Sequence, residues 1–142
     1  IALKRETEAE HHMRQGFELY QRQGNAAGMI AAQSLLGGIL TTRGEVEAGC
    51  EEYCGSARKA LEAGLTTVAL APLFCLIHWN FPHAIELAGH MKQLMAYTGE
   101  QYAFDGPEAK EYYERLAEQS EATSTSLEDC LDKIRALMPK SR

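Results

Sequence analysis

Cys50 and Cys54 are the residues of this chain whose types and spacing most readily suggest chemistry. Four apart on a helix, they share a face, and their sulfurs could approach each other. With Cys75 and His78 they would form a donor set of the kind zinc takes, thiolates and an imidazole. Such a set would make the chain a small helical sensor for a metal or ligand. The spacing matches neither a paired C-x-x-C zinc site nor a small secreted disulfide framework. The plainer role of both cysteines is as small residues at helix contacts, where thiols are often buried. Together with Cys75 and Cys130 they read as reduced, as in a cytoplasm. No bound metal or cofactor is therefore expected.

Other candidates are weaker. His11 and His12 are adjacent and point in different directions, so they chelate poorly. His78 and His83 flank a turn with Trp79, Asn80 and Phe81. Histidine titrates near neutrality, but turn packing is the ordinary role there. Glu45, Glu47, Glu51 and Glu52 fit a solvated helix face. Carboxylates along one helix make no acid–base pair without an opposing element. No nucleotide-binding glycine loop, nucleophile elbow or H-E-x-x-H motif is present. We therefore expect no enzyme.

The elements that would position these residues are helical. Ala, Leu, Glu, Gln and Met are plentiful, whereas Val, Ile and Pro are few. The net charge is −6, and no basic stripe of the kind that displaces counterions from nucleic acid appears. Nucleic acid and an anionic membrane surface are disfavoured partners. A basic or amphipathic protein partner is allowed. The most apolar stretch, Leu65 to Ile77, is shorter than the ~20 residues of a membrane span and contains Pro72. The start is charged and helical rather than a secretory signal, and a chain opening at Ile1 reads as a fragment.

Three intervals of fifteen residues organise the chain: Ala9 to Gly24, Gly49 to Gly64 and Ala84 to Gly99. Each runs from a small residue to a glycine that stops a helix. A shift of forty overlays Ala9, Met13, Gly16 and Phe17 on Gly49, Tyr53, Ser56 and Ala57. A shift of thirty-five overlays Gly49, Tyr53 and Gly64 on Ala84, Ala88 and Gly99. The third copy decays, with Met91 where Ser56 stands, and no fourth follows. Helices are expected at about 3–23, 27–42, 45–63, 66–79 and 82–97, with capping helices at about 108–121 and 126–138. Gly37 and Gly38 lie inside the second helix, each costing about 1 kcal/mol against Ala. A neighbouring helix approaching closely there would explain them. Pro72 either opens a late first turn of the fourth helix or kinks it. Pro82 is expected to open the fifth helix. Ala122 to Thr125 reads as a polar linker, and Ser126 with Asp129 as a variant capping box. Leu127, Leu131, Ile134, Leu137 and Met138 form the apolar side of the last helix.

Leu36-Gly37, Gly44, Gly49, Tyr53 and Ser56 together resemble a tetratricopeptide repeat. That family places Leu-Gly in its first helix, a Gly or Asn at the turn, and small, aromatic and small residues along the second. Gly49 and Ser56 stand where alanine is usual, and Gln33 stands where an aromatic is usual. From about Phe17 to Leu116, the run RGEVEAGCEEYCGSARKALEAG, Pro72 and AYTGEQY are similar to the long-repeat arrays of large bacterial signalling proteins. Those arrays follow a predicted ATPase, sometimes with a nucleotide cyclase or DNA-binding domain elsewhere. The resemblance implies a scaffold or regulatory segment.

The expected fold is all-α: one helical-repeat domain over 1–142, a tetratricopeptide-like right-handed superhelix of antiparallel helix pairs. The expected function is non-catalytic binding of a protein, peptide or helix on a concave face. In the resembling family, ligand peptides lie against the inner helices, here 27–42 and 66–79. Ser34, Gly38, Thr41, Thr42, Leu73, Leu76 and Ile77 are the candidate residues of that face. Leu73 and Leu76 have a competing role as core. Apolar surface at the open ends of the array would favour a homodimer.

Overall fold

The computed structural model describes residues 2–120 and 126–137, with helices as the only regular elements among them. They are α1 (Ala2–Gln23), α2 (Ala26–Thr42), α3 (Val46–Glu62), α4 (Thr66–His78), α5 (Ala84–Thr98), α6 (Pro107–Gln119) and α7 (Leu127–Leu137). The expected linker at Ala122–Thr125, Met138 and the basic tail from Lys140 lie outside the described residues, as do the side chains of Ile134 and Leu137.

Turns of the same chemistry separate the first helices. Gly24, Gly44 and Gly64 have φ of 68°, 92° and 74°, values that a β-carbon would oppose. The residue after each glycine donates its N–H five residues back: Asn25 to Tyr20 at 2.9 Å, Glu45 to Leu40 at 2.9 Å, Leu65 to Ala60 at 2.8 Å. These bonds satisfy carbonyls that a helix end leaves open. The three glycines are twenty positions apart, so a helix with its turn takes twenty residues and a pair takes forty. After α4 the same bond, Phe81 to Leu76 at 3.0 Å, forms with Asn80 in the glycine's place at φ 56°. Asn25 also serves the next helix, its side chain accepting from the Gly28 N–H at 3.0 Å.

Two expectations about proline are settled differently. Pro72 lies inside a continuous α4, fully buried, rather than in its first turn. Pro82 does not open α5. The helix starts at Ala84, after His83 in the left-handed region at φ 66°. Pro107 does occupy a first helical position, behind Gly106 at φ 95°.

Each helix from α1 to α6 packs on the next. Packing of α2 on α4, and of α4 on α6, sets alternate helices side by side. α6 thus extends that row, and α7 packs on α3 and α5. In the core, Tyr53, Leu70, Leu73, Leu76, Ile77, Leu87, Met91 and Leu131 are fully enclosed. At the α2–α3 crossing the backbones nearly touch. A β-carbon on Gly37 would lie 2.9 Å from the Tyr53 ring and 3.2 Å from the Gly49 carbonyl oxygen. A close neighbour is therefore what the mid-helix glycine accommodates. No helix of the described residues is long and apolar enough to cross a membrane.

Candidate functional site

The face expected to bind is built on α2 and α4, and its seven candidate residues differ in burial. Leu73, Leu76 and Ile77 are each 0% exposed and belong to the core. Their burial follows from the position of α4, which is wrapped by α2, α3, α5 and α6. Thr41 is buried too. Its hydroxyl donates to the Gly37 carbonyl at 2.7 Å and fills the space beside Gly49. Ser34 is half-buried, 3.4 Å from the Ser56 hydroxyl, and Gly38 is half-buried beneath the Tyr53 hydroxyl. Of the seven, Thr42 alone is exposed.

The exposed surface of these helices is a different stripe. On α2 it runs through Ala27, Ala31, Leu35 and Thr42, and on α4 through Thr67, Ala71 and His78. Leu35 is 59% exposed, and Trp79, just past the end of α4, is 42% exposed. Ala27, Ala31 and Leu35 recur every fourth residue, and so do Thr67 and Ala71, so each set follows one helix face. That periodicity was present in the sequence. The signal pointing away from Leu35 was its hydrophobicity, which reads as core on an otherwise apolar helix.

Of the thiol and imidazole candidates, only Cys50 and Cys54 are brought together. Cys50 is 1% exposed and Cys54 0%, with their sulfurs 4.0 Å apart inside the core. Cys75 lies instead against Tyr53. Burial pushes its thiol up, while the Tyr53 contact lowers it in part, so it stays protonated at neutral pH. His78 is exposed, its ring between Phe74 at 5.9 Å and Trp79 at 5.8 Å. His83 Nδ1 lies 2.9 Å from Glu86 Oε1. Among the described residues no three His, Cys, Asp or Glu side chains gather as a metal ion would require.

Tyr53 of α3 lies between Gly37 of α2 and Cys75 of α4. Its ring meets Phe81 edge-on at 6.4 Å. Burial raises the phenol's pKa, Cys75 adds to the rise, and Trp79 and Thr41 pull it partly back. A second aromatic cluster closes the α4–α6 side. Phe74 contacts Tyr102 at 5.3 Å and Phe104 at 5.1 Å, and Phe104 contacts Tyr113 at 5.1 Å. Tyr102 and Phe104 come from the connection between α5 and α6, which is tethered by the Tyr102 N–H to Met95 Sδ at 3.4 Å.

Clefts among the described residues also lie away from the stripe. One of about 280 Å³ opens between α1, α2 and α3, lined by Met13, Phe17, Gln33, Leu36 and Glu52. Another of about 390 Å³ lies between α5 and α6, lined by Lys92, Met95, Phe104, Lys110 and Tyr113.

Comparison of the chain with protein-family models, curated proteins and solved structures returns no match. The chain's own geometry therefore carries the functional reading.

Proposed function

We propose that this chain is a non-catalytic interaction or regulatory segment that binds a peptide or helix along the exposed row of α2 and α4. The carrying observation is the stripe of small side chains, Ala27, Ala31 and Ala71, with Leu35 and Trp79 exposed beside it. Small residues let a backbone approach closely, and a large apolar residue gives an anchor at the edge of such a contact. Tetratricopeptide architecture, a right-handed superhelix of antiparallel pairs, is the arrangement we favour. It is supported by the recurrent turn and by the α2–α4 and α4–α6 contacts. The acidic net charge favours a basic partner segment. A place in a cytoplasmic signalling regulator rests on the sequence resemblance alone.

The test is selection of ligands from a displayed peptide library against the folded chain, followed by Leu35→Asp and Ala31→Glu. The selected peptides should bind with micromolar affinity and lose at least about tenfold with either substitution. Peptides indifferent to both substitutions would place the binding surface elsewhere.

A further inference from the structure

Among the described residues, α7 meets the rest of the molecule on α3 and α5 and not on α6, its neighbour in sequence. Two of its described side chains enter the core. Cys130 and Leu131 are 0% exposed and join the cluster that holds Cys54, Ala57, Leu87 and Met91. Leu127 packs against that cluster from its edge. Outside it, Arg58 Nη2 donates to Asp132 Oδ1 at 2.6 Å. Ser126 starts the helix, its hydroxyl accepting from the Asp129 N–H at 3.1 Å.

This is the anatomy of an amphipathic helix in a groove: adjacent apolar anchors, a charged pair at the rim, and a self-contained cap. An eleven-residue helix is marginal alone in water, so the groove is what holds α7 folded. Apart from the Ser126 cap, the contacts named here are made by α7 itself. They are therefore equally available to the same helix supplied by another molecule.

We propose that the cleft between α3 and α5 is a helix-docking site, with α7 as its resident, and that α7 of a second copy occupies it when the first is displaced. Tethering gives the resident a high effective concentration and keeps it in place in the intact chain. Arg58 selects an acidic residue on the incoming helix. This face is distinct from the α2–α4 stripe.

The experiment uses the full chain carrying Leu131→Asp, which puts a carboxylate into the apolar groove and expels the resident. The probe is a fluorescent peptide of residues 126–137 followed by anisotropy. It should bind the variant at least about tenfold more tightly than the wild-type chain, where the tethered helix competes. Adding Arg58→Glu should weaken that binding several-fold, and a peptide carrying Asp132→Arg should recover it. Retained helicity without peptide binding would overturn the proposal. So would unfolding of the whole chain, since α7 would then be integral to the core. A milder full-chain variant, Asp132→Arg, tests the same point at an exposed residue. Hydrogen exchange in α7 should rise several-fold while α2 to α4 keep their protection. A uniform rise, or none, would contradict the proposal.

Discussion

Gly49 of α3 lies against Gly37 of α2 so closely that a β-carbon built on it would sit 2.9 Å from the Gly37 carbonyl oxygen. The same atom would lie 2.2 Å from Thr41 Oγ1, which is itself committed to the Gly37 carbonyl. Neither obstacle is the loose end of a flexible chain. Gly49→Ala should therefore lower stability by about 1–3 kcal/mol, although alanine is the better helix former. Gly16 offers the opposite case, with nothing within 4 Å of its β-position. Gly16→Ala should raise stability by up to about 1 kcal/mol. Urea titrations of both variants check the contrast. Equal effects would mean that the crossing is looser than described.

Burial raises the pKa of Tyr53 and Cys75, and raises that of Tyr113 to about 12. A raised pKa means that the folded state holds its proton longer than the unfolded chain. The stabilising contribution is complete below the unfolded values, about 8.5 for a thiol and 10 for a phenol. It is lost as pH rises through the folded values. Stability should thus fall steeply from about pH 10 to about 12, and Tyr113→Phe should flatten part of that fall. Denaturant midpoints measured across this range decide the matter. A slope unchanged in Tyr113→Phe would remove Tyr113 from the account.

Arg43 ties α1 to the α2–α3 turn, bonding Glu10 at 2.5 Å and also pairing with Glu45. The Arg43 hydrogen bond holds the Glu10 carboxyl below its ordinary value, partly opposed by desolvation. The contribution of this pair is present above the ordinary carboxylate range and is lost as pH falls through the lowered value. Arg43→Ala should speed hydrogen exchange around Glu10 in α1 while leaving α3 and α4 unchanged. A global change in exchange would show that α1 folds as one unit with the core.

Leu35 and Leu76 are both leucines of the α2–α4 row, one 59% exposed and the other 0%. Leu35→Asp should alter stability by no more than about 0.5 kcal/mol. Leu76→Ala should cost about 2–5 kcal/mol through the cavity it leaves. Thermal melts of the two variants separate surface from core.

The helical class was legible because the stops are chemical: Gly24, Gly44, Gly64 and Gly99 all take positive φ at helix ends. Ser126 was legible as a cap for the same reason, since its hydroxyl reaches Asp129. The face of each helix was harder to read. α4 is apolar almost throughout, so its sequence carries no period to distinguish Leu73, Leu76 and Ile77 from the exposed Ala71. Their burial is decided by four neighbouring helices, a long-range fact. Pro82 was misplaced because His83 adopts a left-handed conformation that propensity does not favour. The docking of α7 on α3 and α5 depends on contacts such as Arg58 with Asp132, seventy-four residues apart, which no local pattern announces.

Backbone amide NMR of the folded chain during titration with a selected basic peptide locates the face proposed to bind, the α2–α4 stripe. Shifts concentrated at Ala27, Ala31, Leu35, Thr67 and Ala71, abolished by Leu35→Asp, are the predicted result. Shifts confined to Lys92, Lys110 and Tyr113 in the α5–α6 cleft would contradict it.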